Sequence, residues 1–193
     1  KVMGRQVPSG KLPADVGCVV SNTSTAKAIS DAIQKGMPLV ERAVSVTGDF
    51  IRNPGNYMVK LGTNVQELID HCGGITGDDV VLKMGGPMMG APLKDTNVPI
   101  IKGSNGVIAI AADHTEEKEC IKCGRCVDVC PMELQPLEIY KYGQLGDAEK
   151  LLTLNVMDCF SCKCCEYICS SKIPLVSKIN AAKGLVMPLL KKK

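Results

Sequence analysis

The chain has 193 residues, a hydrophobic fraction of 45% and a formal net charge of +3. Its length accommodates one or two domains with packed cores, and its hydrophobic fraction is that of a globular chain, not a disordered one. Aromatic residues make up only 3%, and Trp is absent. This composition argues against a nucleic-acid-binding protein, which needs stacking surfaces or a strongly basic face. No apolar run approaches the ~20 residues of a membrane span, so we expect no transmembrane segment.

The beginning of the chain predicts a strand followed by a helix. Residues 16–20 are a short apolar run, and Asn22 or Thr23 can cap a helix over about residues 24–35. Gly36 would end that helix. Its apolar face would consist of Ala28, Ile29, Ala32 and Ile33.

This βα unit is isolated from any similar unit, and the chain starts at Lys1 instead of Met. We therefore expect a fragment without its N-terminal portion, in which residues 1–42 are the remnant of a larger domain.

Residues 43–112 predict a small β-grasp domain. Asn53-Pro54-Gly55-Asn56 suits a type II turn with Gly55 at the position of positive φ, and Asn64 can cap a helix that Gly73-Gly74 ends. A hairpin, a helix and further strands follow one another in the order of that fold. The predicted strands cover residues 43–50, 57–61, 80–84 and 107–112.

Residues 113–193 predict a helical module after a polar linker at 113–119. Helices are expected over residues 137–142, 148–154 and 173–182, with residues 143–147 between the first two. The final Lys191-Lys192-Lys193 reads as a solvated tail, and attraction to an anionic membrane surface is the alternative. The fold class expected for the whole chain is α+β.

Cysteines carry the most specific signal in the chain. Nine of the 11 lie between Cys120 and Cys169, in two runs with the C-x2-C-x2-C-x3-C spacing of bacterial [4Fe–4S] ferredoxins. The second run follows the first at an offset of 39 residues, from Cys120 to Cys159. The repetition indicates an internal duplication and predicts two [4Fe–4S] clusters.

The fourth cysteine of each run ligates the other cluster in two-cluster ferredoxins. We therefore assign the second cluster to Cys130 with Cys159, Cys162 and Cys165. The first cluster is assigned to Cys120, Cys123, Cys126 and Cys169. A register that uses Cys164 fits the spacing less well.

Structural zinc is the alternative for these cysteines. Zinc sites usually pair two CxxC motifs across a longer segment, often with His, whereas His71 and His114 lie outside both runs. Disulfides are less favoured because the count is odd and no signal peptide is visible. Among weaker signals, residues 85–90 (GGPMMG) read either as a phosphate loop or as a tight backbone crossing, and they lack the Lys-Ser/Thr of a P-loop.

Several segments together closely resemble the C subunit of the Rnf complex. They lie at residues 17–25, 38–42, 44–48, 85–90 and 172–176, and the resemblance covers essentially the whole chain. That complex is a membrane-bound, ion-pumping enzyme that passes electrons between NADH and ferredoxin. Its C subunit is similar to the flavoprotein subunit of respiratory complex I, which implies an NADH- and FMN-binding domain, then a soluble-ligand-binding β-grasp (SLBB) domain, then iron–sulfur clusters.

The resemblance implies cofactors, partners and location. FMN and NADH would bind only in the full-length protein, and Asn22 and Thr25 match positions at the edge of the FMN site. The implied partners are the other subunits of a membrane electron-transfer complex and ferredoxin or another redox protein, with no nucleic acid. The implied location is peripheral, on the cytoplasmic side of the cell membrane.

Similar subunits serve other acceptors. Ser170 in place of Pro and the additional Cys164 leave open an Rnf-like reductase of a corrinoid enzyme or of proline reductase, and a scaffold with purely structural clusters is a further alternative. We expect the present chain to be an electron-transfer subunit, not a complete catalyst by itself.

Overall fold

The structure is a computed structural model that describes residues 2–190. It contains two compact units, each with its own apolar core. One unit is Val20–His114, and the other combines the described residues before and after it. The first contains a sheet and the second is helical, so the expected α+β class is confirmed.

The sheet unit has five strands in the order β2-β1-β5-β3-β4. The central pair β1 and β5 is parallel, and the other pairs are antiparallel. This mixed sheet contains the four predicted strands, although the first ends at Thr47 and leaves Phe50 in a turn, and it adds the short β4. The strands are β1 Glu41–Thr47, β2 Gly55–Lys60, β3 Val80–Met84, β4 Ala91–Pro92 and β5 Gly106–Ala111.

Helix α2 (Val65–His71) contributes to the core of this unit. The Asn64 side chain accepts a hydrogen bond of 3.0 Å from the backbone N–H of Gln66, which satisfies one unpaired donor at the helix start. Three residues on one face of α2 belong to the same buried cluster as the inward side chains of β1 and β5. They are Val65, Leu68 and Ile69.

The first helix, α1 (Thr23–Lys35), forms as predicted. Asn22 accepts a 2.9 Å hydrogen bond from the N–H of Ser24, and Gly36 ends the helix at φ 63°. No residue of α1 is buried, and the predicted apolar face leaves Ile29 54% and Ile33 79% exposed.

The strand predicted over residues 16–20 does not form. Pro13–Val16 forms a single 3-10 turn. Gly17, which follows the turn, has the left-handed conformation, with φ 71°. The N–H of Gly17 is bonded to the carbonyl of Ala14 inside that turn. An apolar run of this length makes a strand only where a neighbouring strand completes its hydrogen bonds.

The predicted type II turn at Asn53–Asn56 is also wrong. Gly55 is the first residue of β2 and pairs with Val46, and it does not have the positive φ that such a turn requires. The wider connection contains Gly48 at φ 114°. A Cβ at Gly48 would lie 2.0 Å from the carbonyl oxygen of Ala109 in β5. A long-range backbone contact therefore shapes this turn.

Within the described residues, the helical unit contains five α-helices, two of which are longer than predicted. Helix α4 continues through Gly143, where a Cβ would lie 3.2 Å from the Cβ of Ala182 in α7. The absence of a side chain at Gly143 permits this close approach. The helices are α3 Arg125–Asp128, α4 Pro136–Leu145, α5 Ala148–Thr153, α6 Cys164–Tyr167 and α7 Leu175–Leu190.

The lysine tail at 191–193 lies outside the described residues. Across residues 2–190, the helices are either too short or too polar to cross a membrane.

We expect Gly48→Ala to destabilise the sheet unit. The substitution forces a side chain into the left-handed region, at a cost of about 1–3 kcal/mol, and the clash with Ala109 adds to it. Hydrogen–deuterium exchange of the β1 and β5 amides measures the loss. Gly103→Ala is the control, because its Cβ meets nothing within 4 Å. Equal protection in the two variants would contradict the role of this contact.

Candidate metal centre

The two cysteine runs have left-handed backbone conformation at equivalent positions. In the first run Lys122 and Gly124 have φ of 54° and 79°, and in the second Ser161 and Lys163 have φ of 60° and 66°. Each pair of equivalents is separated by the 39-residue offset. Non-glycine residues rarely adopt this left-handed conformation, which costs about 1–3 kcal/mol each. Its recurrence at equivalent positions indicates two loops shaped for the same task.

The first run lines a pocket of about 400 Å³, a volume that includes its opening to solvent. Helix α4 supplies Leu137 and Tyr140 to its wall, and Arg125 supplies a positive charge. Its four cysteines are Cys120, Cys123 and Cys126 from the first run and Cys169 from the second.

The second run lines a comparable pocket of about 370 Å³, again including its opening. Val176 and Ile179 of α7 form part of its wall, and Lys163 lies on its loop. Its four cysteines are Cys159, Cys162 and Cys165 from the second run and Cys130 from the first. Both groupings coincide with the sets assigned from the spacing.

The walls of the two pockets are related by the same offset as the loops. Leu137 and Tyr140 of α4 correspond to Val176 and Ile179 of α7. Helix α4 also turns Pro136 and Ile139 towards the second pocket, so this one helix lines both sites. The duplication thus places one helix of each repeat beside the loop of the same repeat.

Cys164 lines neither pocket. A hydrogen bond between its thiol and the side chain of Cys162 raises the pKa of Cys164, and burial adds to the effect. Its position in the first repeat is occupied by Arg125, which does line a pocket. This placement supports the register that omits Cys164.

Burial is the main cause of the raised pKa of two thiols, Cys165 and Cys126. It raises the pKa of Cys165 to about 12, with a further contribution from the neighbouring Cys159 and Cys162. Burial also raises the pKa of Cys126. Thiols in such surroundings hold their protons until a bound cation displaces them, since metal ligation requires the thiolate.

Four thiols in each of two largely apolar pockets suit the donor set of a [4Fe–4S] cluster. Within residues 2–190 no three His, Cys, Asp or Glu side chains are arranged to hold a single metal ion. A four-iron cluster is a larger body than one ion, so its thiolates stand farther apart.

Asn22 and Thr25, the residues expected at the edge of the FMN site, lie in the sheet unit. Asn22 and Thr25 sit together at the start of α1, both exposed, and the Asn22 side chain is already engaged in capping. Cys72 is fully buried in the core. Residues 85–90 form a tight crossing between β3 and β4, in which a Cβ at Gly90 would lie 2.4 Å from the Gly86 carbonyl oxygen. That contact favours the structural interpretation of the glycine-rich segment.

Sequence reasoning missed the polar contacts that hold the cysteine loops. Buried Ser171 donates a 2.9 Å hydrogen bond to the carbonyl of Glu119, just before the first run. Ser161 donates to Asn180 of α7 at 3.1 Å, and Lys183 of α7 donates to the carbonyl of Cys159. An alignment of the two repeats at the 39-residue offset would have indicated such positions, because the residue types differ there: Lys183, for example, corresponds to Gln144.

Two known domain families match this chain. The SLBB domain matches residues 43–92, within the sheet unit. The 4Fe-4S dicluster domain matches residues 119–173, the region that contains both cysteine runs.

Curated relatives match almost the whole chain. The C subunit of the ion-translocating oxidoreductase complex of Rhodobacter capsulatus is 44% identical over 186 residues, which are 95% of this chain and 36% of that protein. The C subunit of the Na(+)-translocating ferredoxin:NAD(+) oxidoreductase complex of Acetobacterium woodii is 41% identical, over 94% of this chain and 42% of that protein. The corresponding ion-translocating C subunit of Erwinia tasmaniensis is 38% identical, over 96% of this chain and 24% of that protein.

The chain thus spans less than half the length of these relatives. The matched regions, 95% and 94% of this chain for the first two relatives, include both the SLBB domain and the dicluster domain. In the region that it shares with them, this chain closely resembles the C subunits of Rnf-type ion-translocating oxidoreductase complexes.

Proposed function

We propose that this chain holds two [4Fe–4S] clusters and relays single electrons between NADH/FMN and ferredoxin in an Rnf-type complex. The observation that carries the proposal is the pairing of cysteines in the two pockets. Each pocket receives three cysteines from one run and the fourth from the other, as in two-cluster ferredoxins. The Acetobacterium woodii relative is named as a subunit of a ferredoxin:NAD(+) oxidoreductase complex, which supports the nicotinamide nucleotide and ferredoxin as the two ends of the proposed relay.

The residues around each pocket fit this role. When bound, [4Fe–4S] clusters supply one-electron oxidation and reduction at potentials that the surroundings adjust. The eight thiolates would hold the two clusters, and the apolar walls limit the access of water to them. Ile139, Val176 and Ile179 are all at least 95% buried beside the second pocket.

The proposed partners and location follow from the relatives. These are named as subunits of ion-translocating complexes, so we assign this chain to a membrane-associated assembly in which it is a peripheral subunit on the cytoplasmic side. Ferredoxin or another redox protein is the proposed external partner. FMN and NADH are assigned to the full-length protein.

Anaerobically purified protein should contain about eight irons and eight acid-labile sulfides per chain, as expected for two [4Fe–4S] clusters. Colorimetric iron and sulfide assays, with the visible absorption of the sulfur-to-iron charge transfer, measure this. A stoichiometric zinc content without visible absorption would contradict the proposal.

Ligation should be crossed between the runs. Because Cys130 lines the pocket of the second loop, we expect Cys130→Ser to impair the cluster assigned to Cys159, Cys162 and Cys165. By the same reasoning, Cys169→Ser should impair the other cluster. Iron content and the EPR spectrum of each reduced variant report which cluster is lost.

The control for crossed ligation is Cys164→Ser, which should leave both clusters intact because Cys164 lines neither pocket. If Cys164→Ser removed about four irons while Cys165→Ser removed none, the assigned register would be incorrect.

The isolated chain should bind neither FMN nor NADH measurably. Asn22 and Thr25 offer two polar side chains, one of which is engaged in the helix cap, and a flavin phosphate and ring require many more contacts. Isothermal titration calorimetry with each nucleotide tests this. Micromolar affinity for either would place a nucleotide site elsewhere in the chain, and the boundaries 1–42, 43–112 and 113–193 would need revision.

A further inference from the structure

The two cysteine loops differ in the charge that the adjacent helix brings to them. On α7, Val176 and Ile179 face the second pocket. Asn180 and Lys183 follow on the same side of the helix, one turn further on. Both polar side chains bind the second loop, Asn180 at Ser161 and Lys183 at the carbonyl oxygen of Cys159.

Lys183 is only partly exposed, and its ammonium group donates to the backbone of a cluster cysteine. Lys163 already lines this pocket, as Arg125 lines the other. Each pocket wall thus contains one cationic side chain. Lys183 adds a second positive charge beside the second loop only.

The first repeat has no equivalent of this charge. The residue 39 positions before Lys183 is Gln144 in α4. Its side-chain amide donates a 2.9 Å hydrogen bond to the hydroxyl of Tyr140, within the same helix. The duplicated fold therefore offers an internal comparison in which one helix position is neutral in one repeat and cationic in the other.

We infer that Lys183 is a positioning residue that makes the two cluster sites inequivalent. It fixes the start of the second loop through the Cys159 carbonyl, and its charge stabilises the reduced form of the cluster held there. This inference rests on the proposed binding of two [4Fe–4S] clusters.

The physical reason lies in the sign of the charge change on reduction. Each electron makes a cluster more negative, so a nearby cation that is shielded from water favours the reduced state, and the reduction potential depends on net charge and solvent exposure. The interaction weakens with distance and with the effective dielectric constant. Lys183 should therefore raise the potential of the second cluster more than that of the first.

The experiment compares Lys183→Gln with the wild-type chain, both purified anaerobically. Lys183→Gln gives the second repeat the residue that occupies the same position in the first. Iron content shows whether both clusters are present, and a redox titration followed by EPR gives their two potentials. We expect one potential to become more negative and the other to stay unchanged.

Two further variants separate charge from structure. Lys183→Arg retains the charge and the donor and should keep both potentials at the wild-type values. Lys150→Gln removes a positive charge from the exposed side chain on α5, outside both pocket walls, and should shift neither potential.

The possible results either support or overturn the proposed role of Lys183. If Lys183→Gln holds both clusters and neither potential moves, or both move equally, the inference is overturned. If Lys183→Gln loses iron, Lys183→Arg decides: a full iron content with wild-type potentials supports the inference, and iron loss in both variants overturns it. A wild-type chain that binds no iron would instead refute the proposed function itself.

Discussion

The exchange of cysteines between the two repeats is the constraint on which the helical unit depends. Cys130 belongs to the first run in sequence but lies with the second loop, and Cys169 lies with the first. Neither pocket is complete unless both repeats are folded and packed together. The close approach of Gly143 to Ala182 permits this packing, because it brings α4 against α7 without an intervening side chain. The unit is therefore expected to fold as one body, although its sequence is a duplication.

Duplication produces two similar sites, and the differences between them come from single substitutions. The loops share their left-handed positions, and the helices share their wall positions. Tyr140 and Gln144 beside the first site become Ile179 and Lys183 beside the second. Exposure differs as well, since Cys123 is exposed whereas its equivalent Cys162 is partly buried. Two identical sites would have equal affinity for an electron, so differences of this kind are what can give a relay a preferred site.

The sheet unit has its own core and is organised around close backbone contacts. Gly48 passes against Ala109, and Gly90 passes against Gly86, at distances that no side chain would permit. Such contacts fix the connections at the ends of strands without using side chains. The glycines that resemble a phosphate loop in the sequence thus have a structural reason to be there. The match of residues 43–92 to the SLBB domain agrees with the observed sheet.

Most of the candidate metal centre could be predicted from the sequence, because cluster ligation imposes a rigid spacing on cysteines. The two runs and their crossed assignment needed no coordinates, and neither did the cap at Asn64, whereas the sequence left the first cap open between Asn22 and Thr23. These features are local, or they follow from a rule that links spacing to ligation. The helices and strands with regular apolar periodicity were predictable for the same reason.

The tertiary structure decided features that depend on contacts between distant residues. Residues 16–20 have strand-like composition but form no strand, and Gly55, expected in a type II turn, pairs with Val46 of β1 as the first residue of β2. Helix α4 continues through Gly143, where Ala182 of α7 approaches too closely for an unstrained side chain. The bond from Lys183 to the Cys159 carbonyl joins residues 24 positions apart. The spacing of residues along the chain is enough to predict a local motif, because the motif's geometry depends on neighbouring residues. These contacts, by contrast, join segments that are distant in sequence, so they form only when those segments pack together in the folded protein.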